Sequence, residues 1–266
     1  MKTGSILDEI CAKSRAALET VKKDVSFDEL LSKLDSAGKR PPFKAALKKQ
    51  GEISVIAELK KASPSRGLIR GDFDCANLAL GLQNSGAAAL SILTEKNYFL
   101  GDLEYLRKVS EVVGIPLLRK DFIFDKYQIC QARLLGASAV LLIARMLSEK
   151  EFSDLFAFAK SIGLDVLAEA HNSDEIKMLA GCGADIIGVN CRNLANFSTD
   201  FHTAELLVPE IPDGIVKVCE SAIDSAETLS RAKNAGADAA LIGSALMESP
   251  DPSLKLKEIL TGQNES

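Results

Sequence analysis

ISVIAELK, residues 53–60, is a short apolar run rich in β-branched residues that ends in a carboxylate and a lysine two positions apart. Seven more runs of the same kind follow it: AALSILTE (88–95), IPLLRKDF (115–122), AVLLIAR (139–145), DVLAEA (165–170), ADIIGVN (184–190), IVKVCES (215–221) and ADAALIG (237–243). Their starts lie roughly twenty to thirty-five residues apart, enough for a strand, a helix and two loops but not for another domain. Strands alternating with helices imply a parallel sheet.

One junction recurs. SGAAAL at Gly86, LGASAV at Gly136, CGADII at Gly183 and AGADAA at Gly236 each place Gly-Ala just before a strand. Glycine closes a helix in the left-handed conformation, and the chain then turns into the sheet. Strands apolar on both faces need cover on both, which suits a doubly wound open sheet or a closed barrel. The choice rests on the polar residues at the strands' C-terminal ends. Several different strands contribute them, as at a barrel mouth, whereas an open sheet would gather them at one switch point. The fold class is α/β, an eight-stranded (β/α)8 TIM barrel with additional N-terminal helices.

Those helices occupy the first fifty residues. Ile6, Leu7, Ile10, Ala17, Leu18 and Val21 have helical spacing after a capping-box-like start at Ser5 and Asp8. Ser26 and Glu29 open a second helix in SFDELLSKL, and Pro41-Pro42 precede a short third, FKAALKK. Residues 1–50 are thus expected as a helical extension packed on the barrel of residues 51–266, one domain overall.

With 266 residues, 47% hydrophobic and 26% charged, a single large core is expected, and a net charge of −5 argues against nucleic-acid or anionic-membrane partners. No signal peptide or spanning segment is read, and six scattered cysteines without a Cys-x-x-Cys pair suit reduced thiols in the cytoplasm. Only His171 and His202 are available as imidazole ligands, so no metal site is expected.

Alternation places Glu58 and Lys60 on one face of the first strand, pointing into the barrel near its mouth. A structural ion pair is the plainer explanation, although such a pair is often no better than apolar packing. Lys120, on the same face as Leu118, ends the third strand and is expected to converge on that pair. Two lysines close together would lower one another's pKa and make one a proton donor and acceptor near neutrality. Glu169 ends the fifth strand, Asn190 and Arg192 the sixth, and Glu220 the seventh, where it would orient a lysine or simply pair with one. Ser221 after the seventh strand and Gly243-Ser244 after the eighth lie where barrels bind phosphate, with Ser63 on the same rim.

Taken together, AELKKASPSRG, SILTEKNYFLGDLEYL, LLRKDFIFDKYQI, VLLIARML, AEAHN, IGVNCRNL, CES and LIGSALM closely resemble the indole-3-glycerol-phosphate synthase family of tryptophan biosynthesis, in order and spacing over essentially the whole chain. The resemblance implies N-terminal helices covering part of the barrel mouth. It also implies a small phosphorylated substrate, 1-(2-carboxyphenylamino)-1-deoxyribulose 5-phosphate, which is closed to an indole with loss of carbon dioxide and water. By resemblance, Lys120 is the general acid on the ketone oxygen, and Lys60 contacts substrate anions and is a candidate acid for the dehydration. Glu169 is the base of that step, while Glu58 and Asn190 hold the reacting groups. Ser63, Ser221, Gly243 and Ser244 match phosphate contacts, and Arg192 lies near the polar groups. Phe99, Leu141, Ile143 and Leu194 resemble the pocket for the aromatic ring, with Pro64 beside it. No cofactor is expected; a monomer or weak homodimer is, with association to other enzymes of the pathway left open.

Ala222 departs from the family, which usually has glycine there; its methyl group would crowd the phosphate or remove a positive φ. His171 and Cys191 lie near the mouth without a role in the chemistry. Two other functions compete: a Schiff-base lysine acting on a ketose phosphate, which borohydride would trap, and a degenerate phosphate-binding scaffold. Glu58, Lys60, Lys120, Glu169 and Asn190 occurring together weigh against the scaffold.

Overall fold

The structure, a computed structural model, describes residues 6–49, 51–192 and 198–262. Eight parallel strands close into a barrel: β1 (Ser54–Leu59), β2 (Ala89–Leu93), β3 (Leu117–Lys120), β4 (Ala139–Ile143), β5 (Asp165–Ala170), β6 (Ile186–Asn190), β7 (Val216–Glu220) and β8 (Ala239–Ile242). Each pairs with its neighbour in sequence, and β1 closes the ring on β8 with Ser54 opposite Ala239 and Ala57 opposite Ile242. All eight apolar runs of the sequence contain one of these strands.

Alternation along the strands sorts the side chains into two layers. Val55, Ala57 and Leu59 face the surrounding helices, as do Val140, Leu142, Val166 and Ala168. Ile56, Ala89, Leu118, Ala139, Leu141, Leu167, Ile186, Val216, Val218, Ala239 and Leu241 fill the inside. The interior is therefore a packed apolar column over most of its height, and it turns polar only where the strands end.

The helices between strands begin at short polar caps whose side chains accept backbone N–H groups of the first turn. Asp74 caps α4 (Cys75–Asn84), Asp102 caps α5 (Leu103–Val112) and Asp125 caps α6 (Lys126–Leu134). Ser148 closes a capping box on α7 (Glu149–Ser161), and Asn172 caps α8 (Ser173–Gly181). At the other end, Gly86, Gly136, Gly183 and Gly236 take φ of +101, +93, +82 and +94°, the left-handed turn read from the Gly-Ala repeat.

Ahead of the barrel lie α1 (Ile6–Asp24), α2 (Phe27–Lys33, capped by Ser26) and α3 (Phe43–Leu47). Ser5, the cap proposed for α1, lies outside the described residues. The mouth-covering role implied by the resemblance divides among these helices. α1 leans on the mouth loops, with Lys13 Nζ donating to Tyr98 Oη at 2.9 Å and Lys22 Nζ to Asp125 Oδ2 at 2.6 Å. α2 packs on the barrel's flank, where Leu30 meets Tyr127 and Cys130 of α6. α3 instead closes the opposite end: Phe43 and Leu47, both fully buried, join the inner column as its floor. Among the described residues, no helix is long and apolar enough to cross a membrane.

Candidate active site

The same two-residue alternation that stacks apolar side chains in the column brings a charged layer to its top. From β1, Glu58 follows Ile56 inward, and Lys60 just beyond the strand end reaches back to it, Nζ to Oε1 at 2.9 Å. Lys120 follows Leu118, Glu169 follows Leu167, and Glu220 follows Val218. Lys120 Nζ donates to Glu169 Oε2 and to Glu220 Oε2, each at 3.0 Å. Asn190 Oδ1 accepts from Arg192 N and Ser221 Oγ, both at 3.0 Å, and the Asn190 side chain also bonds Glu169.

Two glycines make room for these carboxylates. A Cβ at Gly188 would collide with Glu220 Oε1, and one at Gly243 with Glu58 Oε1 and then Lys60 Nζ at 3.1 Å. Space rather than backbone freedom calls for glycine at both positions.

The charge balance differs from the sequence expectation. Two mutually repelling lysines were to lower one another's pKa, but Lys120 faces three carboxylates. Burial alone would push its ammonium toward neutrality; Glu169, Glu220 and Glu58 outweigh burial and raise its pKa above the ordinary value. Lys120 therefore sits in the cavity as a charged acid, which leaves little free amine for a Schiff base.

The two carboxylates that share it diverge. Burial raises Glu220 to about 7, only partly opposed by Lys120, and its Oε1 has no hydrogen-bond partner. Burial acts on Glu169 in the same direction, but Lys120, His171 and Asn190 overcome it and hold the carboxyl at about 2. One cation thus serves a carboxylate that is ionised at neutral pH and a second that titrates there.

This layer floors a cavity of about 250 Å³. Of the residues singled out in the sequence, Glu58, Lys60, Ser63, Pro64, Phe99, Lys120, Leu141, Ile143, Glu169, Asn190, Arg192, Glu220, Ser221, Gly243 and Ser244 all line it. Leu194 lies outside the described residues. Phe99 and Phe122 form an aromatic wall with ring centroids 6.1 Å apart. Ser63 Oγ, Ser221 and the Gly243-Ser244 start of the short helix Ser244–Glu248 form a small-residue rim. Arg192, its pKa lowered by burial, reaches Ser65 Oγ at 3.4 Å. Ser221 and Ala222 both take left-handed backbone, φ +70 and +59°, so Ala222 keeps the conformation that glycine would favour and bears strain for it.

Supporting residues were not legible as such. The buried Glu95 carboxylate accepts N–H groups of Asn97, Tyr98 and Phe99 at 2.9, 2.7 and 3.1 Å, which fixes the loop that presents Phe99. Arg119 and Asp121, paired at 2.8 Å behind Lys120, hold the start of the Phe122 loop with Gln128. An acidic residue before a Gly-Asp helix start, and an Arg flanking the lysine, were the only signals. Among the described residues, no group of His, Cys, Asp and Glu is arranged to hold a metal ion.

Fold and cavity together define a barrel enzyme with a lysine-carboxylate centre at the C-terminal end of its strands. Residues 7–259 match the family model described as indole-3-glycerol phosphate synthase. The chain is 44% identical over 257 residues, 96% of its length and 100% of the relative's, to an indole-3-glycerol phosphate synthase of Campylobacter jejuni strain RM1221. A protein of the same name from Aliarcobacter butzleri is 45% identical, covering 92% of this chain and 94% of its own. The chain belongs to the indole-3-glycerol phosphate synthase family, carboxy-lyases of tryptophan biosynthesis. Solved structures share the fold alone: a 3-hexulose-6-phosphate synthase at 12% identity and TM-score 0.65, covering 80% of this chain and all of the other, and a thiamine phosphate pyrophosphorylase from Pyrococcus furiosus at 15% and 0.59, covering 81% and 95%.

Proposed function

We propose that this chain converts 1-(2-carboxyphenylamino)-1-deoxyribulose 5-phosphate to indole-3-glycerol phosphate, carbon dioxide and water by acid-base catalysis within the cavity. The observation that carries this reading is Lys120 Nζ, held charged 3.0 Å from both Glu169 and Glu220. Attack of the carboxyl-bearing ring carbon on the ketone breaks aromaticity and builds negative charge on the ketone oxygen. A cation already bearing its proton at that oxygen stabilises the transition state, and here it needs no prior protonation. Loss of carbon dioxide from the attacked ring carbon restores aromaticity. The new hydroxyl must then leave as water while the neighbouring methylene gives up a proton.

Glu169, ionised, is the base for that proton, and Lys60 is the acid for the departing hydroxyl. Glu220 orients Lys120, while Glu58 and Asn190 steady Lys60 and Glu169. The small-residue rim of Ser63, Ser221, Gly243 and Ser244 suits the phosphate through unsatisfied N–H groups and hydroxyls. Phe99, Leu141 and Ile143 suit the aromatic ring, with Pro64 at its edge and Arg192 near the polar groups. The reaction needs no cofactor, and the six free thiols suit a reducing cytoplasm. Adding the carboxyphenylamino sugar phosphate to the purified protein should produce indole fluorescence and one equivalent of carbon dioxide. Unchanged substrate at micromolar enzyme refutes the proposal.

A further inference from the structure

Among the described residues, His171 is a buried imidazole at the charged layer to which this scheme gives no role. It follows β5 directly, and only 5% of its side chain is exposed. Its Nε2 lies 3.4 Å from Glu169 Oε1 and its Nδ1 3.4 Å from Glu175 Oε2. Beyond these two long contacts neither ring nitrogen has a polar partner, so the carboxylates alone hold the buried ring.

The two carboxylates that flank it are not equivalent. Glu175, in the first turn of α8, accepts the His171 backbone N–H at 2.8 Å and Asn172 Nδ2 at 2.9 Å, with Arg145 Nε 3.5 Å away. It is a fixed post outside the cavity. Glu169 faces the cavity, and its other oxygen is held by Lys120. The charged groups around the ring are therefore Glu169 on its own strand, Glu175 on α8, Arg145 beyond Glu175, and Lys120 with Glu220 across Glu169.

In the reading above, Lys120 gives its proton to the ketone oxygen during ring closure, so as a neutral amine it cannot keep its full hold on Glu169 when that carboxylate later acts as a base. Asn190 still bonds the Glu169 side chain, and His171 is the further support, placed against the oxygen that Lys120 does not touch. We propose that His171 is a positioning residue for Glu169: braced on Glu175, it aims the Glu169 carboxylate at the substrate and keeps it ionised once Lys120 has given up its proton. This rests on Glu169 being the base of the dehydration.

The sign of the effect follows from the charges. A ring donating to Glu169 favours the ionised carboxylate, and removing it lets the carboxylate keep a proton to higher pH. His171→Asn should lower kcat roughly tenfold, a loss of about one charge-assisted contact, with KM within about twofold. The acid limb of its kcat profile should move to higher pH. Glu175→Gln, which touches neither cavity nor substrate, should shift the limb in the same direction by less, and it keeps the test open if His171→Asn does not fold. In a Glu169→Gln background, His171→Asn should cost nothing more. An unmoved acid limb, a loss confined to KM, or full additivity with Glu169→Gln overturns the role of His171. Near-normal turnover by Glu169→Gln overturns the base assignment itself, and the proposal with it.

Discussion

At the floor of the barrel, Lys44 and Lys160 meet Asp165 and Asp185 at 2.8 to 3.1 Å; at the mouth, Lys60 and Lys120 meet Glu58, Glu169 and Glu220 at 2.9 to 3.0 Å. The distances match, but the surroundings do not. The floor side chains are 18 to 39% exposed, and Asp165 also anchors the backbone N–H of Lys44 at the start of α3. The mouth side chains are 1 to 14% exposed and face a cavity. A half-exposed cluster is cheap to form and contributes little, so fastening α3 under the barrel explains it fully. A buried cluster costs several kcal/mol per ion to desolvate and is a poor way to gain stability. Its presence at one end only marks that end as the place where charge is used.

Substitutions that separate the two ends sharpen this contrast. The largest effect on stability is expected at Glu220. Folding raises its carboxyl from 4.5 to about 7, so ionising it weakens the fold progressively as pH rises through that window. Glu220→Gln removes the penalty. Relative to the unsubstituted protein, the variant should gain on the order of 2–3 kcal/mol between pH 5 and pH 8, read from urea unfolding at both. Glu169 has the opposite sign: held at about 2, it stabilises the fold above 4.5 and loses that contribution as pH falls toward 2. It leaves the pH 5 to 8 comparison undisturbed. A difference that does not change with pH would mean that Glu220 ionises normally.

At the floor, Lys160→Met should cost about 1 kcal/mol or less and leave kcat and KM untouched. A turnover defect there would break the division between the two ends. The smallest effect is expected at the phosphate rim. Ala222→Gly relieves a left-handed alanine worth about 1 kcal/mol but loosens the unfolded chain, for a net gain of ~0.5 kcal/mol. Destabilisation by Ala222→Gly, seen in the thermal midpoint, would show that the φ of +59° carries no strain.

The barrel was legible because its signals are local: strand runs, capping residues and the Gly-Ala turn each depend on a few neighbours. Strand-end alternation likewise sent Glu58, Lys60 and Lys120 inward without knowledge of the closed ring, and Glu169 and Glu220 stood out as strand-end carboxylates. The sign of the Lys120 shift was not legible. It depends on how many carboxylates other strands bring to the same height, which only the register around the ring decides. Phe43 and Leu47 read only as part of a short helix, and nothing local said which end of the barrel they would close. Gly188 read as part of a strand and Gly243 as a phosphate-site glycine; their role in making room was hidden, since the carboxylates that need their space are 32 and 185 positions away. His171 offered only its position after Glu169; its brace, Glu175, becomes visible once α8 folds back.

The most direct test of the account is turnover of Lys120→Met at saturating carboxyphenylamino sugar phosphate, alongside its circular dichroism and KM. With the fold retained and substrate still bound, the general-acid role predicts a rate lower by roughly a hundredfold or more. A rate within a few-fold of the unsubstituted protein would contradict it.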